Sequence, residues 1–252
     1  MKSEQASFPG AHGTLLAARL DSPDDAPRAH ALFAHCFTCN KDIFAASRIA
    51  QSLVEHGIAV LRFDFTGLGH SEGEFANTDF SSNVQDLVAA ADWLRRAHQA
   101  PALLIGHSLG GAAVLVAAGA IPEVRAVATI AAPSDAAHVS GLFREHVPEI
   151  EARGEALVQL AGRPFRIRRE FLADAAEQNV REKVAALDRA LLILHSPVDE
   201  TVAIGNATGL FVAARHPKSF VSLADADHLL RRRRDAEYAA NVIAAWSGRY
   251  LP

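Results

Sequence analysis

Cysteine, tryptophan, tyrosine and long apolar runs are all scarce in this chain. Its two cysteines are too few for the several disulfides that stabilise small secreted domains. No apolar run reaches the roughly 18 residues of a membrane helix, and the opening MKSEQASFPG lacks the apolar segment of a secretory signal. We therefore expect a cytoplasmic protein with no membrane partner.

Strong charge of either sign is also lacking. The 25 basic and 29 acidic residues leave a formal net charge of −4, which argues against a general attraction to nucleic acid or anionic lipid. Half of the residues are apolar, as in ordinary globular proteins. A chain of 252 residues can form a single domain of the α/β class, and we expect one domain over 1–252.

Short apolar runs alternate with segments of helical periodicity. Because the runs are nearly continuous, they predict strands covered on both faces, as in a parallel sheet. The predicted helices cover 42–56, 82–98 and a segment from Leu109, with Ser82 and Gln85 as a capping box. The sequence thus predicts an α/β fold with a mostly parallel central sheet and helices on both faces. The predicted strands are 28–36, 58–65, 102–108, 125–133, 189–197 and 219–226.

One long segment, 134–188, contains no core strand. Within it, EALVQL and RPFRIRREFL flank Ala161-Gly162 and predict a small hairpin followed by a helix. Ligands of open α/β sheets bind beyond the carboxyl ends of the strands, so we interpret this insertion as a lid. The alternative is a structural excursion packed on the side of the fold.

The candidate nucleophile lies in Gly106-His107-Ser108-Leu109-Gly110, which fits G-x-S-x-G. A strand precedes it and a small-residue helix follows, which is the strand–turn–helix setting of a nucleophile elbow. The glycines give clearance for a strained turn, and the helix start brings partial positive charge. We predict that Ser108 is a nucleophile rather than part of a turn without chemistry.

A serine needs a base, and in this setting the chain order is serine, acid, histidine. Asp199 follows the strand 189–197 and His228 follows the strand 219–226, so both side chains belong to the sheet edge of Ser108. His216 precedes its strand and His195 lies within one, so neither is favoured as the base. We predict Asp199 as the acid and His228 as the base. Other carboxylates weighed for the acid are Glu200, Asp225 and Asp227.

The oxyanion donors are expected from two backbone amides. One is Leu109, directly after the nucleophile, and the other is Phe37 in the loop after His35, with Thr38 as the alternative. The side chain of His107 should point away from the serine, so His107 is not favoured as the base. We also expect Thr38, His107 and Phe165 to contact substrate.

Cys36 and Cys39 form a C-x-x-C sequence in that same loop. They are interpreted either as a redox switch or, preferably, as two small thiols that fill space beneath the loop. A lone C-x-x-C lacks a second ligand pair for a metal. We therefore expect neither a metal nor a cofactor.

Two further motifs are interpreted as structural. The loop DFTGLGHS (64–71) does not have the spacing of a dinucleotide-binding loop, and we expect it near the rim of the site. Arg231 to Arg234 form a basic run that is expected to be a solvated helix face, with an anionic-ligand site as the alternative.

With HCFTCNKD, RFDFTGLGHSEG, GHSLGGAAV, HSPVDETV and ADHLL, the chain resembles the α/β-hydrolase superfamily over about 8–251. More narrowly, it resembles the serine-aminopeptidase-like branch, in which the hydrolase is sometimes fused to an OsmC-type peroxidase domain. The phrases HCFTC, FANTDFSSNVQDL and LAGRPFRIRREFL are the specific part of this likeness. The resemblance implies Ser108, Asp199 and His228 as a triad and an oxyanion contribution from the Phe37 loop.

The sequence therefore predicts a serine hydrolase that cleaves small carboxylic esters through an acyl-enzyme, with a small-molecule acyl compound as its binding partner. Thioester hydrolysis, amide or peptide cleavage and acyl transfer remain open because they use the same triad. A non-catalytic sensor that retains the pocket is the alternative from another class.

Overall fold

The computed structural model describes all 252 residues and is built on one eight-stranded sheet. Its strand order is β1-β2-β4-β3-β5-β6-β9-β10, and β7 pairs with β8 in a separate two-stranded sheet. From β4 to β10 the neighbouring strands run parallel. The strands are β1 Lys2–Pro9, β2 Leu15–Ser22, β3 Ala29–Ala34, β4 Ile58–Phe63, β5 Leu103–His107, β6 Ala126–Ile130, β7 Glu155–Leu160, β8 Arg163–Arg168, β9 Ala190–His195 and β10 Lys218–Ser222.

Eight α-helices surround the sheet. A long 3₁₀ segment, Ala136–His146, precedes α4, and shorter ones cover Phe75–Asn77 and Ala118–Ala120. None of the helices combines the length and the apolar character needed to cross a membrane. The helices are α1 Phe44–Glu55, α2 Phe80–Ala97, α3 Leu109–Ala117, α4 Val147–Arg153, α5 Arg169–Glu177, α6 Val180–Ala185, α7 Gly205–Ala213 and α8 Arg233–Ser247.

The apolar side chains form one cluster on each face of the sheet. Consecutive strand residues alternate between the clusters, as Leu32 and Phe33 of β3 do. Helices α1 and α8 cover one face, whereas α2, α3 and the insertion cover the other. Because both faces are buried, the central strands are apolar at most positions, and their few polar residues, such as Arg62 and Thr129, are themselves buried.

The amino-terminal strands β1 and β2 were not predicted from the sequence. They form an antiparallel hairpin, and β2 joins the sheet antiparallel to β4. Seven of the eight residues of β1 are not buried, so its sequence, KSEQASFP, lacks an apolar pattern. Backbone pairing with β2 along its whole length, together with burial of the single side chain of Phe8, places this strand.

The capping box predicted for α2 was wrong. The helix begins two residues earlier, and Asp79 is its N-cap. The Asp79 carboxylate accepts a hydrogen bond from the Ser82 amide at 2.6 Å, and the Ser82 hydroxyl accepts one from the Asp79 amide at 2.9 Å. An aspartate ranks among the best N-cap residues, which fixes the helix start there.

The predicted insertion lies between β6 and β9. It contains the 3₁₀ segment, α4, the β7–β8 hairpin, α5 and α6, as the hairpin-and-helix prediction requires. The hairpin turn is Ala161-Gly162, both with positive φ. One face of the hairpin, including Val158 and Ile167, joins the core cluster of α2 and α3.

Candidate active site

The sharp turn from β5 into α3 carries Ser108. Its backbone lies at φ 56° and ψ −126°, a conformation that is costly for a residue with a side chain. Close approach of the chain explains the neighbouring glycines: a Cβ on Gly106 would lie 2.3 Å from the Gly110 carbonyl oxygen, and one on Gly110 would lie 2.3 Å from that of His35. The turn presents the Ser108 hydroxyl at the carboxyl edge of the sheet.

Three side chains form a hydrogen-bonded relay at this edge. His228 Nε2 lies 3.0 Å from Ser108 Oγ, and His228 Nδ1 lies 2.7 Å from Asp199 Oδ2. The Asp199 carboxylate accepts a hydrogen bond from Nδ1–H, so the lone pair of Nε2 faces the hydroxyl. The three residues predicted from the sequence are therefore brought together by the loops after β5, β9 and β10.

Asp199 is held as an anion inside the protein. Burial opposes its ionisation, but hydrogen bonds from His228 and from the amides of Val202 and Thr201 outweigh it and hold the pKa of this carboxyl below its usual value. Behind it, His195 Nε2 lies 2.7 Å from the Val202 carbonyl oxygen. Burial lowers the pKa of His195, so this ring adds no positive charge near Asp199.

His107 does not line the substrate cavity, contrary to the prediction that it contacts substrate. Its ring is buried, and Nε2–H donates to the backbone carbonyl of His228 at 2.7 Å. Burial first, and then the neighbouring His228, lower the pKa of His107 to about 4. It is a neutral residue whose hydrogen bond holds the loop that carries His228.

The loop 35–40 presents the Phe37 amide, which donates no hydrogen bond within the protein. The Phe37 ring is packed against rings of the insertion and of the 3₁₀ turn at Phe75, with centroids 5.5 Å from Phe171 and 5.6 Å from Phe75. The Leu109 amide is the first of α3, so it has no partner within the helix. Both amides are free to bind an oxygen anion.

Thr38 lies at φ 59° and lines the cavity. Its carbonyl oxygen accepts a hydrogen bond from the guanidinium of Arg163 at the start of β8. Arg163 also lines the cavity. The insertion therefore contacts the loop 35–40 and forms part of the cavity wall. Sequence reasoning missed Arg163 because 125 residues separate it from Thr38.

The interpretation of Cys36 and Cys39 as two free thiols was wrong. The structure joins them in a disulfide, and the Cys39 amide donates to the Cys36 carbonyl at 3.1 Å. The spacing of the two cysteines was the available signal, since four residues closed by that hydrogen bond form a tight turn. The disulfide brackets Phe37 and Thr38.

Asp64 fixes the far end of the same loop. Its carboxylate accepts hydrogen bonds from the amide of Lys41 at 2.6 Å, from Lys41 Nζ at 2.7 Å and from the amide of His70 at 2.9 Å. The loop 64–71 wraps around this carboxylate so closely that a Cβ on Gly69 would lie 2.3 Å from it. The glycine-rich loop 64–71 thus holds the Lys41 end of the segment that begins at His35.

A cavity of about 920 Å³ opens above Ser108 and His228. Residues of the insertion form part of its wall, among them Leu142, Leu160 and Arg163. Phe165 does not, contrary to the prediction: it is buried beneath, with its ring 5.0 Å from that of Phe75. Side chains on β8 alternate between two faces, and Phe165 lies on the core-facing one.

The rival carboxylates have other partners. Asp225 pairs with Arg232 and Arg234 at 2.7 and 2.9 Å, and Asp227 lies 3.6 Å from Arg231. Each arginine of the basic run has an acidic partner, and the run is largely exposed. α8 begins at Arg233, so half of the run precedes the helix.

Residues 25–158 match the family described as serine aminopeptidase, S33. Mouse palmitoyl-protein thioesterase ABHD10, a mitochondrial protein, is 28% identical over 210 residues, which is 81% of this chain and 67% of the relative. The rat protein of the same name is 31% identical over 71% of this chain. The chain spans only 59% of the rat relative's length.

Among solved structures, the esterase domain of a Rhodothermus marinus protein superposes with a TM-score of 0.83. It is 50% identical to this chain, and the alignment covers the whole of both. The prediction of an α/β-hydrolase fold with a mostly parallel sheet and surrounding helices is confirmed.

Proposed function

This chain belongs to the serine aminopeptidase, S33, family of hydrolases, and we propose that it is a serine esterase that cleaves small carboxylic esters through an acyl-enzyme. The observation that carries the proposal is the relay Asp199–His228–Ser108, with contacts of 2.7 and 3.0 Å, beside two free backbone amides. Such a relay converts a weakly nucleophilic alcohol into an attacking group.

In the first step, His228 Nε2 takes the hydroxyl proton as Ser108 Oγ attacks the ester carbonyl carbon, and the π electron pair of the carbonyl moves onto its oxygen. Asp199 stays ionised, holds the Nδ1–H tautomer and stabilises the imidazolium. The low pKa of Asp199 supports this role, because the carboxylate does not take up the proton itself. His107 keeps the His228 loop in place without adding charge.

The tetrahedral intermediate places a negative charge on the former carbonyl oxygen. The amides of Phe37 and Leu109 are proposed to bind it, assisted by the partial positive charge at the start of α3. Loss of one such donor costs about a hundredfold to a thousandfold in rate. His228 then protonates the departing alcohol, and the acyl group remains on Ser108.

Water completes the cycle. His228 removes a proton from a water molecule, which attacks the acyl carbon; the bond to Ser108 Oγ then breaks, Oγ takes the proton back from His228, and the carboxylic acid is released. The insertion is proposed to act as a lid over this step, because Leu142, Leu160 and Arg163 form part of the cavity wall. The triad needs no metal or cofactor for any of these steps.

The test compares wild type with Ser108→Ala on 4-nitrophenyl acetate. Removal of a triad serine costs on the order of a millionfold in kcat, so the variant should show no activity above background. Ser52→Ala is the control, because the Ser52 hydroxyl is hydrogen-bonded only to Asn241 and takes no part in the relay. Equal slow rates in wild type and Ser108→Ala would instead favour the non-catalytic sensor.

Thioester hydrolysis is the second candidate, because the mouse and rat relatives are named palmitoyl-protein thioesterases. The triad serves both reactions, and a thiolate departs more readily than an alkoxide. An oxygen ester and a thioester that carry the same acyl group distinguish the two functions. An esterase hydrolyses the oxygen ester with a kcat/KM comparable to that for the thioester. Amide cleavage and acyl transfer are tested in the same panel with anilides and added alcohols.

Two narrower proposals concern the protein's setting. A cytoplasmic location is proposed from the composition of the sequence. We also propose, from the phrases HCFTC and LAGRPFRIRREFL, that the chain is related to hydrolases that are fused to OsmC-type domains. No peroxide chemistry is assigned to this chain.

A further inference from the structure

The disulfide Cys36–Cys39 forms part of the wall of the substrate cavity. Both cysteines line the same cavity as Ser108 and His228. Cys36 is buried, whereas Cys39 is only half-buried. Cys39 is therefore the more accessible of the two cysteines to a small molecule in the cavity.

The disulfide also controls a short and functionally important piece of backbone. Only Phe37 and Thr38 lie between the two cysteines, and the Phe37 amide is the proposed oxyanion donor. Thr38 is in the left-handed region, which is unfavourable for a residue with a branched side chain. The bond between Cys36 and Cys39 restrains this turn from both ends.

We propose that Cys36–Cys39 is a reversible redox site, reduced by a small dithiol that enters through the substrate cavity, and that the closed disulfide holds the oxyanion donor in its catalytic position. The proposal rests on the esterase function proposed above. It assigns the oxidised state as the more active one, because that state combines the formed relay with the free Phe37 amide.

The exchange proceeds in two steps. A thiolate of the dithiol attacks the sulfur of Cys39, a mixed disulfide forms, and Cys36 leaves as a thiolate and takes up a proton. The second thiol of the reagent then attacks the mixed disulfide and releases Cys39. The dithiol loses two electrons and two protons to become a cyclic disulfide, and the protein gains two thiols.

Reduction should loosen the turn without unfolding the loop. The Phe37 ring remains packed on Phe75 and Phe171, and Lys41 remains bound to Asp64. The contact to the oxyanion exists only in the transition state, so reduction should lower kcat and leave KM unchanged. The fall should not exceed the roughly hundredfold cost of losing one oxyanion donor.

The chain has no other cysteine, so any effect of a thiol reagent on the protein's sulfur atoms that involves cysteine arises at this disulfide. Wild type is reduced with dithiothreitol, desalted without air and assayed on 4-nitrophenyl acetate, with the two thiols counted by alkylation and mass. We expect kcat to fall by about threefold to a hundredfold, and reoxidation to restore it. An unchanged or raised kcat in fully reduced protein overturns the proposal, as does a disulfide that dithiothreitol cannot reduce in folded protein.

Two variants and one blocking experiment assign the effect to this site. The double variant Cys36→Ser/Cys39→Ser should have the kcat of the reduced wild type, and dithiothreitol should not change it. Phosphonylation of Ser108 with a bulky fluorophosphonate should obstruct the cavity near the disulfide and slow its reduction. Reduction at the same rate in the phosphonylated and free proteins overturns entry through the cavity.

The outcomes separate this proposal from the esterase function. If oxidised wild type has no Ser108-dependent activity, the proposed function fails. If it has that activity and complete reduction leaves kcat unchanged, the proposed function stands and the redox site fails.

Discussion

At the scale of single residues, the neutral state of His107 matters most for the relay. Its ring lies 5.3 Å from that of His228, centroid to centroid. A charge on His107 would oppose the imidazolium that the proposed mechanism forms on His228. Burial and the pKa of about 4 keep His107 uncharged at neutral pH, so it supplies a hydrogen bond without that penalty.

The hydrogen bond from His107 to the His228 carbonyl is tested by two substitutions. His107→Gln keeps an N–H donor at a similar reach, and His107→Leu removes it. We expect His107→Leu to lower kcat about tenfold, which is the order of one neutral hydrogen bond of about 1.4 kcal/mol. KM should stay unchanged, and His107→Gln should recover most of the loss.

Steady-state kinetics of both folded variants decides the matter. Equal losses in His107→Gln and His107→Leu would show that ring packing, not the hydrogen bond, is what the site needs.

Single residues also show the limit of sequence reasoning. Ser108, Asp199 and His228 were predictable because each follows a strand whose carboxyl end is apparent from the sequence. Arg163 and the phenylalanine cluster at Phe37 were not, because nothing local in a sequence shows which distant segment packs on a loop. The side chain of His107 was expected to point away from Ser108, but the sequence did not show that its partner is the backbone carbonyl of His228.

At the scale of elements, the β5–α3 turn depends on the absence of a side chain at Gly106. We predict that Gly106→Ala destabilises the fold by about 1 to 3 kcal/mol, the usual cost of overpacking. A new Cβ there meets the Gly110 carbonyl oxygen at 2.3 Å and pushes α3 off the strand. Urea unfolding measures the stability, and the rate of phosphonate labelling reports on Ser108.

Gly119→Ala is the matched control, because no atom lies within 4 Å of its added Cβ. If Gly106→Ala unfolds at the same urea concentration as that control and labels at the wild-type rate, the close approach does not constrain the turn.

The elements that were predicted correctly share a physical cause. Strands such as β5 and β9 are buried on both faces and so are continuous apolar runs. Strand β1 was missed because it lies at the edge and Phe8 is its only buried side chain, so the sequence carries no alternating apolar pattern. The start of α2 was misplaced because Ser82 and Gln85 also fit a capping box, and the choice depended on Asp79.

At the scale of the whole molecule, several histidines are buried as neutral rings. Burial is the leading cause that lowers the pKa of each of them: His30, His35, His107 and His195. A histidine whose pKa falls on folding binds its proton more readily in the unfolded chain. Its contribution to stability is complete above the unfolded pKa near 6.5 and is lost as the pH falls toward the folded value.

For His107 the window runs from 6.5 down to about 4. Between pH 7 and pH 5, we expect wild type to lose about 2 kcal/mol more of its free energy of unfolding than His107→Gln does. Urea unfolding of both proteins at the two pH values measures the difference. Parallel losses in the two proteins would show that His107 does not carry this acid sensitivity.

The overall architecture was predictable because a parallel sheet places the ends of its strands at one edge. The way the insertion closes on that edge was not, since its hairpin contacts a loop more than a hundred residues earlier in the chain. The disulfide belongs to the same category: the spacing allowed it, and only the folded turn brings the sulfurs together.

The central claim is that Asp199 and His228 activate Ser108, and labelling by a fluorophosphonate tests it most directly. Digestion and mass spectrometry should find one adduct, on Ser108, in folded wild type, and none after unfolding or in His228→Asn. An adduct on another residue, or equal labelling of Ser108 in wild type and His228→Asn, would contradict the account.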